Sequence, residues 1–303
     1  MSKYSQTRLI RKAIQKEIRS LGQIDLRTAN EKHIEQLISR LLGHGHIQRI
    51  LNVRSPHAFR VRINEKENLF EKVRDLWWPP ADCVKRGRCN DEGQPVFYYS
   101  DSEETAIIEK QPDEDDVLTV VKCELIDPTK PNIVSIGVHE FTGRSNPNYG
   151  GTPPDRDVKL QELLRRERLS KITPLLEGYL VSEFLRESPN DDSRYKITSI
   201  IARTLIDRSE TVTEEGVPVP EVSLDGIAYP SIRCDMLGAN VALKTDSADK
   251  PYKPVNCVVY RVEQAHPKYP YTVGKLCWSK SIDDDGNIAW EVPEGKLIEE
   301  PQA

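Results

Sequence analysis

The chain has 303 residues, 37% hydrophobic and 30% charged, with a net charge of −5, values that fit an ordinary globular protein large enough to bury a sizeable core. No apolar run approaches the roughly 20 residues needed to cross a bilayer, and the N-terminus lacks the apolar core of a signal peptide, so the expectation is a cytoplasmic protein and not a membrane one. Six cysteines without a C-x-x-C pair read as reduced thiols, not as a disulfide framework.

Charge is uneven. Residues 1–54 hold 11 Lys/Arg against 4 Asp/Glu, so the other 249 residues carry a balance of −12. Ile10, Ile14, Ile18 and Leu21 recur at helical spacing before Gly22, with Arg8, Arg11, Lys12, Lys16 and Arg19 mostly on the other side. A second helix is expected from the capping box Thr28-x-x-Glu31, with Ile34, Leu37, Ile38, Leu41 and Leu42 preceding Gly43. Two amphipathic helices need a further surface to bury both apolar faces, either the body of the protein or a second copy. We read residues 1–54 as a basic helical appendage packed on an acidic body, with assembly or nucleic-acid binding as its other uses. His44-Gly45-His46 reads as a solvated loop, because no Cys, Asp or Glu stands nearby at ligand spacing; no metal is expected.

Alternation from Ala58 to Ile63 predicts a strand with Arg60 and Arg62 on one face. Glu67 to Val73 reads as a short helix, and Trp77-Trp78-Pro79-Pro80 as a rigid aromatic corner. Asn90-Asp91-Glu92-Gly93 is a turn, and Val96-Phe97-Tyr98-Tyr99 suits a strand. A helix follows, opened by Ser100 with Glu103 or Asp101 with Glu104 and stopped by Pro112; Thr105, Ala106 and Glu109 share one of its faces. Asp113 to Asp116 reads as a solvated turn more than a cation site.

Val117–Ile126 and Ile133–Val138 are expected strands, and Thr142–Pro154 a long loop or lid. Residues 157–208 read as helical, with Ile172, Leu176, Tyr179, Leu180 and Phe184 on one face and Ile197, Ile200, Ile201 and Leu205 on another. Val217-Pro218-Val219-Pro220 leads into Asp225-Gly226-Ile227-Ala228-Tyr229-Pro230-Ser231 and then Asn240-Val241-Ala242-Leu243. Val255 to Val292 reads as strands with a hairpin turn at Asp284-Asp285-Gly286-Asn287. The class is α+β.

Three of these segments, in this order, resemble the motifs of the RES-domain family: Phe59-Arg60-Val61-Arg62, then Gly87-Arg88 with Asn90, Gly93, Tyr98, Thr105-Ala106 and Glu109, then Asp225 to Ser231 with Asn240 to Leu243. The resemblance implies an ADP-ribosyltransferase-like β-sheet core with flanking helices over residues 55–303, behind the N-terminal helical hairpin. It implies an NAD-consuming toxin or defence effector, restrained by a neutralising or regulatory protein. It makes Arg60, Glu109 and Ser231 the catalytic candidates, and Tyr98, Arg88, Arg62 and Tyr229 the substrate-binding ones. The 121 residues between Glu109 and Ser231 exceed the spacing of compact members, which marks residues 140–210 as an expansion.

The chemistry follows if NAD is the substrate, consumed and not held as a cofactor. Breaking the nicotinamide–ribose bond builds positive charge on the ribose. Such a site needs a carboxylate by the ribose, a cation for the pyrophosphate and a flat wall for the ring, and Glu109, Arg60 and Tyr98 supply those types. Ser231 either places the substrate or holds Glu109; Arg88 either binds phosphate or anchors its turn through a carboxylate. Water, inorganic phosphate or a protein side chain as acceptor gives hydrolysis, phosphorolysis or ADP-ribosylation. The rivals from other classes are a non-catalytic nucleic-acid-binding or assembly protein working through residues 1–54, and a metal-dependent nuclease using Asp113 to Asp116.

Overall fold

Helical spacing in the N-terminal segment does produce two helices, α1 (Lys3–Gly22) and α2 (Glu31–Gly43). α1 buries Ile14 and Leu21 and leaves Arg8, Arg11, Lys12, Lys16 and Arg19 exposed; α2 buries Ile34, Leu37, Ile38, Leu41 and Leu42. The cap of α2 differs from expectation. Asn30 accepts the Lys32 amide at 2.9 Å, whereas Thr28 donates its hydroxyl to Asp25 at 3.0 Å. Both the Thr28 and Ala29 amides bond the Asp25 carbonyl, so a turn occupies the residues before Asn30 and the helix starts after it.

The computed structural model describes residues 3–44, 50–52, 57–65, 68–127, 131–138, 173–186, 193, 195–207, 213–214, 217–218, 224–234, 238–248, 251–265 and 271–294. The expected loop Thr142–Pro154, the helical residues 157–172, Gly45-His46 and Val219-Pro220 lie outside them. Among the described residues, no helix is long and apolar enough to cross a membrane.

The strands are β1 (Ile50–Asn52), β2 (His57–Ile63), β3 (Val96–Ser100), β4 (Val117–Leu125), β5 (Asn132–Ser135), β6 (Thr213–Glu214), β7 (Val217–Pro218), β8 (Gly226–Pro230), β9 (Ala239–Lys244), β10 (Tyr252–Gln264), β11 (Thr272–Ile282) and β12 (Ile288–Glu291). Ten form one sheet in the order β1-β5-β8-β9-β3-β2-β4-β10-β11-β12, and β6 pairs with β7. Only β5 and β8 run parallel; the other neighbours are antiparallel. Among the described residues, four further helices accompany them: α3 (Glu103–Lys110), α4 (Thr173–Phe184), α5 (Tyr195–Ile206) and α6 (Thr245–Ala248). The α+β expectation, with a sheet core, flanking helices and an N-terminal helix pair, holds.

Alternation along the central strands divides the core in two. Ile227, Tyr229 and Ala242 face a helical layer in which Ile14 and Leu21 of α1, Ile34 and Leu41 of α2, Leu176 and Leu180 of α4, and Ile200 and Ile201 of α5 form one buried cluster. Phe97, Tyr99, Val241 and Leu243 face the other way, with Trp77 and Tyr252. Trp77 stacks on Phe97 with centroids 4.6 Å apart, so the aromatic corner is core. α3 lays Ala106 and Ile107 on Val61, Leu118 and Val120.

The helix expected over Glu67–Val73 does not form among the described residues of that span; a short 3-10 turn covers Val73–Leu76 instead. Its backbone groups are taken by the β11–β12 turn, since the Val73 amide bonds the Gly286 carbonyl at 2.9 Å and Ile288 donates to the Glu71 carbonyl at 2.8 Å. That long-range pairing displaces the local i to i−4 pattern.

Candidate active site

α3 is capped two residues after Ser100 and one after Asp101, the two caps the sequence offered. Ser100 donates to Asn240 Oδ1 at 2.7 Å, and the Asp101 amide bonds the Ala239 carbonyl at 3.1 Å, so both residues are tied to β9. Ser102 is the N-cap; its Oγ accepts the Thr105 amide at 3.1 Å and donates to Thr105 Oγ1 at 2.8 Å. Gln111, at φ 52°, ends the helix in the left-handed region just before Pro112. Gly238 lies against Thr105 so closely that a Cβ there would run into the threonine hydroxyl, which brings the segment entering β9 up to the helix. Glu109 in the last turn is thereby half-buried beside β9.

Two donors meet one oxygen of that carboxylate. Ser231 Oγ donates to Glu109 Oε1 at 2.6 Å, and Asn240 Nδ2 donates to the same atom at 2.7 Å. Ser231 has no exposed surface; its Oγ also accepts the Cys234 amide at 3.2 Å. Asn240 faces two ways, since its Oδ1 takes the Ser100 hydroxyl. Oε2 of Glu109 receives no hydrogen bond from the described residues. One oxygen fixes the carboxylate; the other is open to accept from a ligand hydroxyl or to stabilise developing positive charge.

Sheet register extends this centre. Ser100, Asn240 and Tyr229 stand opposite one another across β3, β9 and β8, hence on one face, and Tyr98 lies one step along β3 on that face. The Tyr98 hydroxyl donates to Asn90 Oδ1 at 2.9 Å and accepts the Cys89 amide at 2.8 Å. Gly87 is required beside them, because a Cβ would sit 2.6 Å from Asn90 Oδ1 and 3.1 Å from the Tyr98 hydroxyl oxygen. Burial pushes the Tyr98 and Tyr229 hydroxyls well above the ordinary tyrosine value, so both are neutral donors. With its hydroxyl held, Tyr98 is a half-buried residue whose hydroxyl does not titrate near neutral pH.

Arg88 is anchored within the protein, though not through a carboxylate. It donates to the Phe184 carbonyl at 2.6 Å and the Arg186 carbonyl at 3.4 Å, closing the C-terminal end of α4, and lies over the Tyr195 and Tyr229 rings at 5.6 and 5.8 Å. Its anchors are main-chain carbonyls, not a carboxylate.

Arg60 occupies a gap in the sheet. β2 and β3 pair only at Phe59 and Ser100, and beyond that rung Arg60 Nη1 donates to the Tyr98 carbonyl at 2.7 Å while Nε donates to the Leu76 carbonyl at 2.7 Å. Burial, reinforced by the charge of Arg62, lowers the Arg60 guanidinium to about 9, so it stays cationic at neutral pH. Arg62 donates to the Trp77 carbonyl at 3.4 Å and is lowered by burial against the pull of Asp75. Lys110, next to Glu109, is lowered by burial and by Arg62 and Arg60. Three cations therefore feel one another, and no described carboxylate forms an ion pair with any of them. Arg60 and Glu109 do not bond directly.

The structure thus joins Glu109 to Ser231, sets Tyr229 and Tyr98 on the same sheet face, and ties Arg60 to the Tyr98 main chain with Arg62 alongside. Sequence reasoning quoted Asn240 inside a motif but gave it no role. The available signal was a polar residue directly before the apolar run Val241, Ala242 and Leu243.

The chain matches the family described as RES domain over residues 58–270, a span that contains every site residue above and leaves α1 and α2 outside. No curated protein matches it.

Proposed function

The chain belongs to the RES-domain family, and from that premise we propose that it degrades NAD by cleaving the nicotinamide–ribose bond. The observation that carries this reading is Glu109, with Oε1 held by Ser231 and Asn240 and Oε2 without a described donor. A carboxylate fixed in this way holds its charge where an oxocarbenium-like ribose would develop, without reorganising at the moment of reaction.

In the step itself the C1′–N1 bond breaks and its electron pair leaves with nicotinamide, discharging the pyridinium. An oxygen of phosphate or water bonds to C1′ and releases its proton to solvent, yielding ADP-ribose 1-phosphate or ADP-ribose. The half-buried Tyr98 supplies the flat surface for nicotinamide. Arg60, Arg62 and Lys110 supply positive charge for the pyrophosphate or an incoming phosphate. A protein side chain as acceptor turns the same step into mono-ADP-ribosylation. Activity of this kind depletes a shared metabolite, which fits a toxin or defence effector held in check by a regulatory protein.

The test is to incubate the purified chain with NAD, with and without phosphate, and identify products by mass spectrometry. Nicotinamide with ADP-ribose 1-phosphate marks phosphorolysis, nicotinamide with ADP-ribose marks hydrolysis, and a mass gain on protein marks transfer. Intact NAD under both conditions overturns the reading.

A further inference from the structure

Asp91 is a buried carboxylate held by three side chains from two parts of the chain. Arg86 Nε donates to its Oδ1 at 3.2 Å, Ser199 of α5 donates to Oδ1 at 2.9 Å, and Arg203 of α5 pairs with Oδ2. The same two arginines reach outward to α2. Arg86 binds Glu31 through two bonds of 2.8 and 3.1 Å, and Arg203 pairs with Glu35 at 3.4 Å. Glu31 and Glu35 are one helical turn apart, so a single face of α2 grips both arginines. On its inner side Asp91 adjoins Asn90, whose Nδ2 donates to the Lys85 and Asp91 carbonyls at 2.9 Å each and whose Oδ1 receives the Tyr98 hydroxyl.

We propose that Asp91 is a positioning residue for the NAD site and that α2, although outside the family-matched span, sets it: Glu31 and Glu35 fix Arg86 and Arg203, these fix Asp91, and the Asn90 turn then holds the Tyr98 ring. This rests on the NAD-cleaving reading and adds to it a dependence on the N-terminal helices. The links from α2 to the Asp91 carboxylate are charge-assisted, the Arg86–Glu31 one bidentate, and neutral hydrogen bonds of Asn90 carry the last step to Tyr98. Tyr98 would meet the nicotinamide ring in both ground and transition state, so loosening it weakens binding uniformly and raises KM more than it lowers kcat.

The test uses the full chain and the double variant Glu31→Gln/Glu35→Gln, which leaves the shape of α2 and every site residue intact. The KM for NAD rises about tenfold with kcat within about twofold of wild type. The Cys89 amide, which donates to the Tyr98 hydroxyl, exchanges hydrogen about tenfold faster. Glu17→Gln, which breaks the Arg40–Glu17 pair between α1 and α2 without touching this relay, changes neither. Asp91→Asn reproduces the double variant from the inner side. Unchanged KM and unchanged Cys89 exchange in both the double variant and Asp91→Asn overturn the proposal. If wild type leaves NAD intact, the functional reading fails, and the exchange measurement by itself decides the relay.

Discussion

Ser231 Oγ stands 2.6 Å from Glu109 Oε1, joining a fully buried hydroxyl to a carboxylate 122 positions away. Asn240 bonds that same oxygen and also takes the Ser100 hydroxyl, so the carboxylate is referenced to both β9 and β3. Orientation at this centre comes from the sheet.

Glu109→Gln keeps the shape and the acceptor oxygen but removes the charge. NAD loss, followed by chromatography, falls at least about hundredfold, while the melting temperature stays near that of wild type. Turnover within a few fold of wild type would show that Glu109 is not the group facing the ribose.

Asn240→Ala and Ser231→Ala each withdraw one donor from Oε1, and each lowers turnover about tenfold. Asn240→Ala also leaves the buried Ser100 hydroxyl without its acceptor, at a cost of about 1–3 kcal/mol in urea unfolding. Because both donors act on one atom, the double variant departs from the sum of the singles by at least about 0.5 kcal/mol. Strict additivity would mean the two bonds are not held together.

Gly226→Ala tests the sheet instead of the chemistry. A Cβ at Gly226 falls on the Ala242 carbonyl oxygen, a main-chain atom that cannot swing aside as a side chain would. Destabilisation of about 2–3 kcal/mol is expected from a shift in the denaturant midpoint. A neutral result would show that β8 and β9 move apart without cost.

The pH dependence follows from Arg60, lowered to about 9 by burial and by Arg62. Below about 9 the guanidinium is protonated in both folded and unfolded chains; in the window above it, the folded chain loses that proton first. Phosphate groups are bound by the protonated form, so kcat/KM for NAD is full at neutral pH and falls as pH rises through about 9. A profile that stays flat well past 9 would remove Arg60 from substrate binding.

Much of this was readable beforehand, for local reasons. α1 and α2 announce themselves by periodic apolar residues, β2 by alternation, and the β11–β12 hairpin by Gly286, which adopts φ 78°. Glu109 and Ser231 carry a family pattern as well. What escaped depends on partners remote in sequence. Arg88 finds its carbonyls 96 and 98 residues away, Glu71 and Val73 surrender their backbone groups to a distant turn, and Ser100 is drawn from capping into pairing with Asn240. Propensity ranks what a segment can do alone; these residues answer to neighbours that propensity does not see.

The single rung between β2 and β3 has a mechanical meaning. The ten-stranded sheet is two wings, one ending at β3 and the other beginning at β2, fastened by the Phe59–Ser100 pair and by the guanidinium lying across the opening. A ligand anion that draws Arg60 from the Tyr98 carbonyl undoes one of those two fastenings. Occupancy and the stiffness of the seam are then one variable, and a bound molecule would register as a change in how firmly the wings are clasped.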